Sequence, residues 1–251
     1  MRHSSIALAA AALLVSGCVS TRQYADTQFA PPSGEFKLLV MRPDVSVGSV
    51  TTVGLTEARA DWTEAARSNL LSALRAQQAQ RGGNVRVLDR RDSLVGVPAA
   101  TIAELERLHG AVGNSIALHK YLGENLPTKR GKGLDWTLGA QAVALGQRTG
   151  MDYALFLHAQ DSFASTGRVA MQVLGIAGCF VGFCNPNMGG GSQFAYASLV
   201  NLRTGEVVWF NVLQSRIGDI RTPAGAAEMV ERLLGRMKPG RDVRRALKAA
   251  E

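Results

Sequence analysis

The sequence predicts an α+β, or mixed α/β, domain: a central mixed β-sheet flanked by helices, with a late antiparallel hairpin. Three observations carry this prediction. Short apolar runs of strand composition are mixed with longer stretches of helical period. Two strand-like runs, 194–201 (FAYASLVN) and 206–212 (EVVWFNV), flank the turn Arg203-Thr204-Gly205. The chain of 251 residues is 46% hydrophobic and 19% charged, the balance of a folded protein with room for one substantial core.

The elements follow in order. Residues 36–41 (FKLLVM), ending before Arg42-Pro43, read as a buried strand. Residues 58–80 read as a helix, with Trp62, Ala66, Leu70 and Leu74 at helical spacing and Gly82-Gly83 as its stop. A second short strand, 85–88 (VRVL), follows. Residues 98–122 have helical pattern, interrupted at Gly110 and Gly113. A basic, Gly-rich loop separates them from a helix over 136–149 that Gly150 ends. Residues 153–159 (YALFLHA) are a strongly apolar strand, with 169–176 as its expected partner. Residues 224–237 form the last helix.

The amino terminus has its own grammar. Arg2 is a short positive start, and 6–15 (IALAAAALLV) is an apolar stretch too short to span a bilayer comfortably. Val15-Ser16-Gly17-Cys18 then resembles the lipobox of bacterial lipoproteins. The resemblance implies a signal peptide over 1–17 and a mature chain starting at Cys18. Its thiol would carry diacylglycerol and its freed amine an acyl chain. Val19 stands where Asp would favour inner-membrane retention, so the resemblance implies an outer-membrane anchor facing the periplasm. Residues 18–34, with Pro31-Pro32 and Gly34, read as the lipid-bearing Cys and a flexible tether. The domain is expected over 35–238, with a helical insert at about 98–133 and a basic tail at 239–251. After Cys18 no run is long and apolar enough for a transmembrane helix.

The formal charge is +8, and losing Arg2 with the signal peptide leaves +7. Such a balance suits nucleic acid, an anionic membrane or an acidic wall polymer. Export argues against nucleic acid, and the spread of basic residues argues for solvated surface charge.

A second resemblance concerns the fold. Gly150-Met151-Asp152-Tyr153-Ala154-Leu155 leads into a strand. Ala197-Ser198-Leu199-Val200-Asn201-Leu202-Arg203-Thr204-Gly205-Glu206-Val207-Val208-Trp209 forms a hairpin. Together they resemble the group of the curli-secretion lipoprotein, the penicillin-binding-protein activator lipoprotein and the amino-terminal domain of TolB. The similarity covers roughly 36–90 and 134–237. Asn201 stands where Asp is common, and the 98–133 segment is long. The motifs belong to the fold and contain no catalytic residue. A curli-type pore would need longer alternating strands than the glycine-rich 168–194 region offers.

Candidate site residues are few. Cys179 and Cys184, in an exported chain, favour a disulfide over free buried thiols. A metal pair lacks nearby His, Asp or Glu, and no metal is expected. Phe180, Val181 and Phe183 between them read either as a hydrophobic plug or as a partner-contact tip. Lys129, Arg130 and Lys132 form a basic loop that is either solvated or docks an anionic partner. His158 and Asp161 point to opposite sides of a regular strand, and no Gly-x-Ser-x-Gly elbow is present. His119 reads as a surface or capping residue.

The functional expectation is a non-enzymatic lipoprotein without cofactor, tethered through Cys18. It would bind an envelope protein or self-associate, with no nucleic acid. The alternative is a subunit of a secretion or transport apparatus whose 168–194 hairpin inserts into a membrane or an oligomer interface. An envelope hydrolase is the least favoured reading.

Overall fold

The computed structural model describes residues 19–25, 36–81, 84–91, 94–121, 123, 126–170, 191–235 and 237. Among the described residues, eight strands join one mixed sheet. They are β1 (Val19–Ala25), β2 (Lys37–Val40), β3 (Asp44–Val50), β4 (Thr56–Ala58), β5 (Asn84–Val87), β6 (Tyr153–Ala164), β7 (Gln193–Asn201) and β8 (Val207–Ser215). The order across the sheet is β1-β8-β7-β6-β2-β5, with β3 between β6 and β4. β1, β8, β7 and β6 pair antiparallel, whereas β2 and β5 continue in parallel.

The long strand β6 has two partners in sequence. Its first part pairs with β2, Val40 opposite Leu155, and its second with β3, Asp44 opposite His158. Residues 41–43 therefore span what 156–157 span on β6, which is a bulge of one residue. Pro43 has no N–H to give a ladder and suits that place. The bulge also changes the outer neighbour, from β5 before it to β4 after it.

Four helices of more than three residues are described in full, two on each face. α1 (Ala60–Arg81) and α4 (Pro223–Leu234) cover one face; α2 (Ala99–Tyr121) and α3 (Gly139–Thr149) cover the other. Strand alternation sorts the side chains. Leu155, Leu157, Ala195 and Ala197 join Leu70, Leu74, Val230 and Leu233 under α1 and α4. Phe156, Tyr196, Phe210 and Val212 join Ile102, Leu105, Ala142 and Leu145 under α2 and α3. Each fully buried side chain of this size is worth about 1.5–3 kcal/mol, so the two faces are both true cores. Thr222 caps α4 by accepting the Gly225 N–H at 3.1 Å, and Pro223 follows at its first turn.

The mixed sheet between helices and the hairpin at 203–205 stand as the sequence predicts. The two segments of the fold resemblance meet each other. Asp152 accepts the Lys37 N–H at 3.1 Å and the Arg203 guanidinium at 2.8 Å. Asn201 accepts the Arg203 N–H at 2.9 Å, the same turn-forming bond an Asp would make.

Several expectations change. The first part of the expected tether is strand β1, paired with β8 over its whole length. Residues 98–122 are not broken at their glycines: α2 is continuous, and Gly113 is where it touches the sheet. A Cβ there would lie 2.3 Å from the Tyr196 ring. α3 begins at Gly139 rather than 136, because Thr137 bridges Glu206 and the backbone of 136 bonds Val207. Residues 166–170 are helical, so the expected strand partner at 169–176 does not hold in its described part. β3 and β4, which have no prediction, form a hairpin at the sheet edge.

Candidate functional site

Two polar constellations stand out. The first lies inside the core under α2. His109 comes from the middle of α2, and its Nε2 is 2.5 Å from Ser198 Oγ on β7. The His109 ring stacks on Phe156 at 4.3 Å. Across the sheet, His158 stacks on Tyr196 at 4.8 Å, and its Nδ1 is 2.8 Å from the Asp44 carboxylate. Tyr196 donates its hydroxyl to the Gly110 carbonyl at 3.2 Å. Burial drives the pKa of His109 down to about 3, with the nearby His158 adding to the shift. Burial likewise raises that of Tyr196. The His158 hydrogen bond holds the Asp44 carboxyl below its ordinary range.

A serine beside a histidine is the start of a nucleophile–base pair. Here His109 is 4% and Ser198 1% exposed, so the pair is enclosed by the core. The Asp44 carboxylate serves the other histidine. The arrangement pairs these buried polar groups and, among the described residues, leaves Ser198 without exposure to solvent.

The second constellation is open. At the bulge, where β2 and β5 part, lies a cleft of about 260 Å³. Arg42 reaches it from the bulge, Arg67 from α1, Arg91 from the segment after β5, and Arg107 from α2. Asp44 and Glu106 also line it, and both are engaged: Glu106 holds Arg91 at 2.7 Å, and Asp44 holds His158. Arg67 pairs with Glu64 and gives one N–H to the Val45 carbonyl at 3.3 Å. Its Nε is buried without a partner, as is Glu106 Oε1. Among the described residues, Arg42 and Arg107 have no ion pair or hydrogen bond. Burial and the neighbouring Arg67 and Arg91 lower the pKa of Arg42.

The basic loop is tied down internally. Lys129 bonds the Asp135 carboxylate at 3.1 Å and its carbonyl, and stands over the Trp136 ring at 5.1 Å. Lys132 lies 3.8 Å from the same carboxylate. Arg130 is exposed. These contacts lower the Asp135 pKa, the Lys129 hydrogen bond most. His119 is fully buried rather than at the surface. It accepts the Leu126 N–H at Nδ1 and faces the Lys129 carbonyl with Nε2 at 3.2 Å, so it holds this loop to α2. Asp161 is on the opposite face from His158, buried, and bonded by Gln193 at 3.1 Å. Burial raises its pKa to about 6. Cys18, Cys179, Phe180, Val181, Phe183 and Cys184 lie outside the described residues.

His109 and the four arginines of the cleft had no sequence signal. The arginines come from positions scattered over 42–107, with no motif spacing, and only the bulge brings them together.

No protein-family model and no curated protein sequence matches the chain. Among solved structures, a PelC dodecamer from Paraburkholderia phytofirmans aligns at 12% identity over 90% of this chain and 100% of that one, with a TM-score of 0.38. A variant PelC dodecamer from the same organism aligns at 14% over 89% and 100%, with a TM-score of 0.41. Lipoprotein GNA1162 from Neisseria meningitidis aligns at 14% over 80% and 94%, with a TM-score of 0.31. Likeness at this level says nothing of what this chain does.

Proposed function

We propose that this chain is an envelope lipoprotein, held by acyl chains on Cys18 at the outer membrane, whose domain is a non-catalytic docking or assembly module. One observation carries the reading: the positive start, apolar stretch and Val15-Ser16-Gly17-Cys18 stand in lipoprotein order, and the next residue opens a paired strand. Val19 sits opposite Ser215, Ser215 opposite Gln193, and Gln193 opposite Asp161. These four residues form one row across the sheet, so an anchor on Cys18 would put that end of the sheet at the bilayer. The enclosure of the Ser198–His109 pair supports the non-catalytic part.

The reading as a secretion or transport subunit has one observation in its favour. Ala164, which ends β6, and Gln193, which begins β7 within the 168–194 segment, belong to the same end of the sheet as Val19.

The test is metabolic labelling and crosslinking in the native envelope, with wild type and Cys18→Ala. Wild type is expected to incorporate tritiated palmitate and to capture envelope partners or copies of itself; Cys18→Ala should do neither. An unlabelled wild type would end the lipoprotein reading. An unchanged partner set without the lipid would end the tethering one.

A further inference from the structure

We propose that the cleft between Arg42, Arg67, Arg91 and Arg107 is a binding site for a phosphoryl group. This goes beyond the anchored-module reading and does not depend on the lipid.

Charge is the first argument. The lining carboxylates already serve Arg91 and His158, which leaves the Arg42 and Arg107 guanidinia unmatched among the described residues. Four guanidinia against the Asp44, Glu106 and Glu64 carboxylates leave an excess of positive charge that favours an added anion. A protein gains nothing from crowding guanidinia unless something offsets their repulsion, because like charges at close range disfavour one another. Simple surface charge would let these side chains spread into solvent. Here Arg67 is only 13% exposed in its side chain and leaves a buried N–H unused.

Shape is the second. Guanidinium forks match oxyanions through paired N–H donors. The four come from a bulge, a helix on each face and the segment after β5, and so approach from several directions. A tetrahedral phosphoryl group presents oxygens in several directions; a planar carboxylate presents two in one plane. Topology is the third. The cleft lies just past the carboxyl ends of the adjacent parallel strands β2 and β5, where the chains part to different sides. In open α/β sheets that divergence is where ligands find room and free backbone. The bulge is what turns Arg42 into it.

The phosphoryl group can belong to a soluble or polymer-borne phosphate ester or to a lipid headgroup, and the test separates them. The acylated full-length protein, in detergent, is titrated calorimetrically with glycerol phosphate and with acetate. It is also titrated with phosphatidic acid dissolved in the same detergent micelles. Saturable binding of glycerol phosphate is expected, weakened about tenfold or more by Arg42→Gln and by Arg107→Gln, and unchanged by Arg232→Gln on α4, outside the cleft. Arg107 is exposed, so its variant keeps the test sound if Arg42→Gln proves unstable. Binding confined to phosphatidic acid, with the same dependence on both arginines, would support the site and assign the phosphoryl group to a lipid. Binding that ignores both substitutions, no saturable binding to either probe, or acetate bound as tightly as glycerol phosphate would overturn the proposal.

Discussion

The two faces of the sheet are built to different rules. Under α1 and α4 the core is hydrocarbon almost throughout: Leu38, Val40, Leu70, Leu74, Leu157, Val230 and Leu233 fill it. Under α2 and α3 a polar line runs through the core, with His109 on Ser198 and Tyr196 on the Gly110 carbonyl. The first face depends chiefly on area and volume, with the Asn211 amide on the Leu233 carbonyl and the Asp161–Gln193 pair as its buried polar contacts. The second adds hydrogen bonds whose worth depends on protonation. The two halves thus respond to pH differently, the second through His109 in its middle and the first only through Asp161 at its fringe.

The largest expected effect breaks the apolar half. Leu70→Ala, at a fully buried position, should cost about 2–5 kcal/mol in urea unfolding, equally at pH 7.5 and pH 4.5. The polar half should behave otherwise. With its folded pKa near 3 and its unfolded value near 6.5, His109 takes a proton in the unfolded chain that the folded one refuses. The contribution of His109 to stability should therefore fall as pH drops from 6.5 towards 3, by about 2–3 kcal/mol between pH 6.5 and 4.5. His109→Gln, which can still meet Ser198, should flatten that slope. A slope left intact would assign it to other groups.

Gly113→Ala tests the contact between α2 and the polar line. A methyl group would meet the Tyr196 ring, itself fully buried, and should cost about 1–3 kcal/mol. Loss of near-ultraviolet ellipticity from Tyr196 would accompany it. The smallest effect sharpens the comparison at the fringe of the apolar face. Asp161 has its pKa raised to about 6, so the unfolded chain ionises first and the Asp161 contribution, opposite in sign to that of His109, falls as pH rises from about 4 through 6. Asp161→Asn keeps the Gln193 contact and should gain about 1–2 kcal/mol at pH 7.5, with no gain below pH 4. Melting curves at the two pH values decide it.

What the sequence discloses follows from range. The turn at Gly205, the stop at Gly150 and the stripe of α1 are local, and local chemistry writes them directly. The β3–β4 hairpin was illegible because Val53 and Leu55 at its turn are exposed and β4 is only three residues long, which defeats pattern reading. Gly113 misled for the opposite reason: its missing side chain serves a contact 83 residues away, not a helix end. The bulge at 41–43 shows only as a mismatch of partners on β6, and His109 gains its meaning from Ser198, 89 residues on. The cleft needs all of these at once, so nothing in the order of its arginines announces it.

Strand β1 has a consequence for motion. A domain on a leash sweeps a hemisphere and meets targets at any orientation. If Cys18 carries the proposed acyl chains, the first residue after the anchor is already a rung of the sheet. The protein would stand on the bilayer like a post on a short footing, free to spin about the membrane normal but hardly to topple. The arginine cleft, at the edge of the sheet far from β1, would then hold a nearly constant height and sweep a ring of roughly 20 Å radius, four strand spacings from the pivot. Neighbouring copies would share that height, and whatever one of them presents outward, its neighbours would present in the same plane.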